Sequence, residues 1–258
     1  MLFLLSPAKS LDYETELPPV QATEPLFVAR SAELIGTLKK KSTKQIAELM
    51  ALSESLATLN VQRYQNWTPV FSEHNARPAL LAFNGDVYEG LDAKSLTPSQ
   101  LEWAQSHIAI LSGLYGVLRP LDGMQPYRLE MGTALKHGKT HNLYQFWGTQ
   151  IAEHLNQQLA TDKDPLIVNL ASQEYFKAVD KRTLKARVVD CVFQERKNGD
   201  YKIISFFAKR ARGLMARYAI QKQAKTPKSL QAFNAEGYAY AAYASDDHTL
   251  VFRRDSQH

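Results

Sequence analysis

The chain has 258 residues, 45% of them hydrophobic, with 31 lysines and arginines against 26 acids. That length and apolar content suffice to fill one large core without disulfide or metal staples. A single cysteine, Cys191, excludes an internal disulfide and multi-thiolate zinc or iron–sulfur sites, and the apolar run Leu2 to Leu5 is too short for a signal peptide or a membrane span.

In chain order, Leu2 to Leu5 reads as a buried strand that Ser6-Pro7 ends, which puts Lys9 at a strand end. Helices are predicted over Pro25 to Lys41 and Thr43 to Arg63, from apolar stripes such as Leu34 with Leu38, and Ile46, Leu49, Met50, Leu56 and Leu59. Leu80 to Phe83 is a compact apolar run before the turn signal Asn84-Gly85-Asp86, so it predicts a second buried strand with Asp86 and Tyr88 in the loop beyond. Thr97-Pro98 has the chemistry of a helix start, and that helix is expected to run through Trp103 and His107 to Leu111.

Past a glycine- and proline-rich stretch, Gly113 to Gly132, a helix is expected from Leu143 to Leu159. Leu166 to Leu170 reads as another buried strand, followed by the polar run Ser172 to Lys177. Val188 to Gln194 and Tyr201 to Phe207, joined across Asn198-Gly199, predict a hairpin, because Asn-Gly supplies the positive φ angles of a tight turn. A basic helix, Ala208 to Tyr218, comes next. The alternation predicts an α/β fold, a mixed sheet flanked by helices, in a single domain spanning 1–258.

Charge is segregated along the chain. Residues 177–228 hold 15 lysines and arginines against 4 acids, a net of +11, and the remainder holds 16 against 22, a net of −6. Such a segment attracts phosphate polymers, acidic proteins or anionic surfaces, or it is a solvated face. Lys209, Arg210, Arg212 and Arg217 spread over a broad arc of the basic helix, which suits phosphate tracking and a salt-dependent affinity. Gly113 and Gly116, with Arg119 behind them, form either a helix-ending turn or a concave set of amides that holds phosphate oxygens. The turn resembles a helix-hairpin-helix element, though the glycines stand three apart rather than two and Pro120 disturbs the second helix.

A second constellation points to a pocket. Lys9, Asp86, Asn169, Ser172, Glu174 and Lys177 converge if their strands share a sheet edge, and Arg128 and Glu130 can join them as an ion pair or as acid and base. The other reading is a polar network that ties loops together. His137 and His141 bracket Gly138, a poor helical metal pair, and Cys191 in an alternating strand reads as a packed apolar group. No phosphate-binding P-loop, dinucleotide fingerprint or nucleophile elbow occurs.

Across nearly its whole length the chain resembles the bacterial YaaA family, named for peroxide stress. The resemblance is carried by Ser6-Pro7-Ala8-Lys9, Phe83 to Tyr88, Leu111 to Asp122, Pro126 to Gly132, Asn169-Leu170-Ala171-Ser172 and Ala208 to Met215. It implies a family-specific fold, a positively charged cleft, binding to DNA, and a cytosolic role in limiting peroxide damage from unincorporated iron. It supplies no established reaction. Residues and resemblance together lead to the expectation of a cytoplasmic protein that binds double-stranded DNA without sequence preference, through Gly113, Gly116, Arg119, Lys209, Arg210, Arg212 and Arg217. The competing expectation is an enzyme acting on a phosphorylated or nucleobase-containing molecule in the strand-end cleft. Neither calls for a metal, a cofactor, a membrane or an obligate protein partner, and direct iron sequestration lacks the necessary clustered ligands.

Overall fold

Three short apolar runs make the middle of the sheet. Leu2–Leu5 (β1), Ile108–Ser112 (β5) and Leu166–Asn169 (β8) are buried at every position. Burial on both faces is the mark of parallel strands covered by helices, and β1 pairs in parallel with β5 on one side and β8 on the other. The computed structural model describes residues 1–255.

Other elements follow in chain order. Ser10–Leu11 (β2) precedes helices Val28–Leu38 (α1), Thr43–Met50 (α2) and Glu54–Asn66 (α3), then Arg77–Pro78 (β3), Ala79–Ala82 (α4), Phe83–Asn84 (β4), Asp86–Leu91 (α5) and Pro98–His107 (α6). Beyond β5 come Gly116–Leu118 (β6), Gly123–Met124 (β7), Leu143–Trp147 (α7) and Gln150–Gln158 (α8). After β8 come Gln173–Phe176 (α9), Arg187–Lys197 (β9), Asp200–Lys202 (β10), Ser205–Lys222 (α10), Pro227–Leu230 (α11), Ala239–Tyr240 (β11) and Thr249–Arg254 (β12). The main sheet has the order β11-β12-β9-β8-β1-β5-β6, with β10 paired to β9. Its five middle strands are parallel, and β11, β10 and β6 are antiparallel additions at the margins. The expected α/β class with a mixed, helix-flanked sheet is therefore the observed one.

Several local expectations change. The helix read over Thr43 to Arg63 is two helices, because Ala51 turns left-handed (φ 51) and Ser53 caps α3 by accepting from the Leu56 amide. Leu80 and Leu81 belong to one helical turn rather than a strand, a run too short for periodicity to decide, and the strand is only Phe83–Asn84. Asp86 and Tyr88 lie in α5, not in a loop. The helix begun at Thr97 stops at His107, so Leu111 is a strand residue in β5. The helix expected from Leu143 to Leu159 breaks at Gly148. Asn198 and Gly199 do turn the chain with positive φ, but the returning strand ends at Lys202 and Phe206 and Phe207 already belong to α10.

Strands, not helices, flank the Gly113–Gly116 turn: β5 and β6 pair antiparallel across it, Ser112 opposite Gly116. Both glycines are buried. Gly116 takes φ +67 and faces the Trp147 ring, where a Cβ would come within 2.7 Å, and the Trp147 indole donates to the Gly113 carbonyl at 3.0 Å. The turn is a core feature, with no helix on either side to make a helix-hairpin-helix.

The second crossing that shapes the site joins α5 to α10. Gly90 on α5 faces the α10 backbone at Arg210 and Leu214, and Gly213 on α10 faces the α5 backbone at Val87 and Leu91. With no Cβ on either side, the two helices approach backbone to backbone, and the amino end of α5 comes beside the first turns of α10.

Candidate functional site

The carboxyl ends of β1, β5 and β8 point toward one region, and the loops that leave them are tied together there. After β1, Ser6 Oγ accepts from the Ser172 amide at 2.8 Å and contacts the Ser172 hydroxyl at 3.3 Å, so the loops after β1 and β8 are one unit. The Tyr88 hydroxyl donates to the Ser6 carbonyl at 3.0 Å. Pairing of β2 with β4 sets Ser10 opposite Asn84, which brings the Lys9 loop beside Gly85 and Asp86.

Glu130 is at the centre. Its Oε1 accepts from Arg128 Nε at 3.1 Å and Nη2 at 3.0 Å, and Lys9 Nζ stands 3.5 Å away. Its Oε2 is buried and has no hydrogen-bond partner. Two cations from separate segments thus share one oxygen and leave the other unsatisfied. Next to this cluster, Glu174 Oε1 accepts from the Gly132 amide at 2.9 Å, and the Tyr144 hydroxyl donates to the Glu174 carbonyl at 3.0 Å while Lys177 stands 4.9 Å over the Tyr144 ring. Asp86, carried by α5, faces Lys209 at 3.9 Å. Asn169 is spent on structure: its amide donates to Asp190 at 2.7 Å and its carbonyl accepts from the Ala171 amide.

Beneath these charges lies a layer of phenols. Burial pushes the hydroxyls of Tyr88, Tyr127 and Tyr175 well above the ordinary tyrosine value, with neighbouring phenols adding to the shift and, for Tyr127 and Tyr175, the Glu130 charge as well. They stay protonated: Tyr88 donates to the Ser6 carbonyl, and the Tyr127 and Ser112 hydroxyls share a hydrogen bond at 2.6 Å. Among the described residues no three histidine, cysteine, aspartate or glutamate side chains gather as a metal site, and no helix is long and apolar enough to cross a membrane.

The structure therefore brings Lys9, Arg128, Glu130, Ser172, Glu174 and Lys177 into one neighbourhood, with Asp86 on its flank. The named phosphate contacts fare differently. Gly113 and Gly116 are buried, and Arg119 is held by Asp122 at 2.8 Å and by the Glu24 carbonyl at 3.0 Å. Arg210 is forked onto Glu236 at 2.6 to 3.1 Å, and Arg217 binds the Leu91 and Asp92 carbonyls at 2.9 Å and the Asp92 carboxylate at 3.5 Å. Arg212 is half-buried, and burial lowers its pKa. Of that set Lys209 alone is exposed. Strand-end reasoning does not single out Ser6 and Tyr88 as site residues, although each stands inside one of the six sequence blocks that carry the family resemblance.

Comparison with known proteins places the geometry in a lineage. The family model described as peroxide stress protein YaaA matches residues 1–244. A UPF0246 protein of Albidiferax ferrireducens is 63% identical over 254 residues, covering 98% of each chain. UPF0246 proteins of Paracidovorax citrulli, 64% identical over 255 residues and 98% of each chain, and of Bordetella petrii, 63% over 254 residues with 98% of this chain and 99% of that one, are similar to the same extent. With a match over nearly all of its length to the model and to these relatives, the chain belongs to the peroxide stress protein YaaA family.

Proposed function

We propose that this peroxide stress family member binds a phosphorylated or nucleobase-containing molecule in the cleft at the carboxyl ends of β1, β5 and β8. The observation that carries the reading is the half-satisfied Glu130 carboxylate, clamped by Lys9 and Arg128 on one oxygen and lacking a donor on the other. A buried acceptor without a partner costs about 1–3 kcal/mol, and a ligand that brings an N–H donor recovers it. The charges here alternate in sign, which suits a ligand with both an anionic end and base-type donors better than a run of phosphates. Lys9, two-thirds exposed at its side chain, presents its ammonium to the open side of the cleft beside Glu130. If the molecule is turned over, Glu130 is the proton acceptor and Lys9 the electrostatic group.

Titration of nucleosides and nucleotides against the pure protein, followed by calorimetry, tests this. Glu130→Gln should weaken binding by about 10- to 100-fold, the loss expected for a hydrogen bond to a charged group. Equal binding by Glu130→Gln, or no binding of any such molecule by the wild type, would sink the reading. Loss of turnover in Lys9→Ala, where a reaction is found, supports the enzymatic form of it.

One observation favours a second reading, sequence-independent binding of duplex DNA that keeps it from iron-generated oxidants. Lys222, Lys225 and Lys228, at the end of α10 and through α11, are exposed and have no carboxylate within ion-pair distance among the described residues. These are the cations free to release DNA counterions, whereas most of the α10 arginines already have partners. Replacing the three with alanine should lower the slope of log affinity against log salt by about 3. An unchanged slope removes these lysines as contacts.

A further inference from the structure

Arg63, on α3, lines a cavity of about 510 Å³ together with Asp12, Tyr13, Glu14, Thr15, Asn84 and Pro126. The charges around it are unevenly matched. Asp12 is fully engaged, by Lys94 at 2.6 Å and by the amides of Glu14 and Thr15 at 3.1 and 3.0 Å. Arg128 is taken up by Glu130. Arg63 has no carboxylate within 4.0 Å among the described residues, and its contact is Nη1 to the Asn60 side-chain oxygen at 3.5 Å. Arg77, its guanidinium 5.7 Å from the Tyr13 ring, donates to the Thr15 carbonyl at 2.5 Å and likewise lacks an acid. Glu14 is the acid left without an ion pair there, and it is exposed.

Burial lowers the pKa of Arg63, a sign that its charge has lost water. A guanidinium half out of water needs an anion or a set of acceptors in exchange, and the protein supplies one long contact. Its planar fork matches the oxygens of a phosphoryl group. Asn84, exposed on the same wall, adds an amide donor.

The cavity also adjoins the strand-end cluster. The Tyr64 hydroxyl, next along α3, donates to the Arg128 carbonyl, while Asn84 and Pro126 each stand two residues before a cluster member, Asp86 and Arg128. We propose that the Arg63 cavity is an anion subsite that takes a phosphoryl group, with the Arg63 guanidinium as its fork. It rests on the strand-end reading only for the identity of the rest of the ligand, whose phosphoryl end it holds.

Inorganic pyrophosphate is the probe, titrated against the full chain by calorimetry. Wild type should bind it, Arg63→Gln should bind it at least about ten-fold more weakly, and Arg63→Lys should fall between, since a point charge replaces a fork. A check that needs no variant is arginine modification by phenylglyoxal read by mass spectrometry, in which pyrophosphate should protect Arg63. No binding by wild type, equal binding by Arg63→Gln, or no protection of Arg63 overturns the subsite. Pyrophosphate binding that depends on Arg63, with no wild-type binding of any nucleoside or nucleotide, leaves the subsite standing and removes the strand-end reading. Nucleoside binding without pyrophosphate binding does the reverse.

Discussion

Replacing Gly213 with alanine is expected to destabilise the protein by about 3 kcal/mol, read as a lower urea midpoint at unchanged slope. A Cβ there would lie 2.8 Å from the Leu91 amide nitrogen and closer still to the Val87 carbonyl. Both are backbone atoms of α5, so no side chain can rotate away and the helix itself must move. Alanine's better helix propensity returns about 1 kcal/mol, which is less than the clash costs. Because α5 carries Asp86, the same substitution should also disturb the Lys209 contact and the wall of the cleft. Gly36 in α1 is the control: nothing lies within 4 Å of a Cβ there, so Gly36→Ala should stabilise by about 0.5–1 kcal/mol. Equal effects at the two glycines would mean that the α5–α10 approach is looser than described.

The second large effect is expected at Glu195. Its side chain is 6% exposed on β9, accepts from the Tyr238 hydroxyl, and takes Arg254 Nε at 2.8 Å. Glu195→Ala leaves a guanidinium that is itself 14% exposed without its main anion, and a phenol without an acceptor. Breaking one side of a buried pair costs about 3–5 kcal/mol, and the lower end applies here because Arg254 keeps the Glu236 carbonyl at 3.2 Å and its carboxylate at 3.7 Å. Thermal and urea unfolding should both report the loss. The double change Glu195→Leu with Arg254→Leu should recover much of it, since no uncompensated charge is left behind. If the double variant is no better than Glu195→Ala, packing rather than charge governs this corner.

The ion pairs bear directly on the choice between the two functional readings. Among the described residues, seven of the 15 lysines and arginines in 177–228 face a carboxylate within 4.0 Å, and for five of them, Arg187, Arg196, Lys209, Arg210 and Arg217, that acid lies outside the segment and is not already counted in its net charge. Arg210 with its fork on Glu236 gives up more on meeting a phosphate than exposed Lys222 does. The net charge of +11 read from this segment therefore overstates the cationic charge left unpaired on its surface.

Much of the frame is legible in residues 2–5 and 166–169, because an unbroken apolar run of that length has to be covered on both faces and so belongs in a parallel sheet. Asn198-Gly199 likewise announces its turn, since few other pairs accept positive φ twice. Strand-then-polar-loop order leads to the expectation that Lys9, Asp86, Asn169, Ser172, Glu174 and Lys177 converge if their strands share a sheet edge, whereas Arg128 and Glu130 enter only as residues that can join them. What the linear pattern leaves open are the short pieces. Leu80 and Leu81 serve equally as strand or helix by periodicity, and it is the tertiary setting that decides, with the Asp122 and Pro120 carbonyls accepting from the Ala79 and Leu80 amides at the start of the helical turn. The fate of charge is the other open matter. Local sequence sets that Arg210, Arg212 and Arg217 are cationic, but whether each meets solvent, Glu236, the core or Asp92 depends on elements brought in from 26 to 126 positions away. Backbone geometry and apolar patterning act over a few residues and are written in the chain, whereas electrostatic pairing acts through space and is decided only when the sheet and helices close on one another.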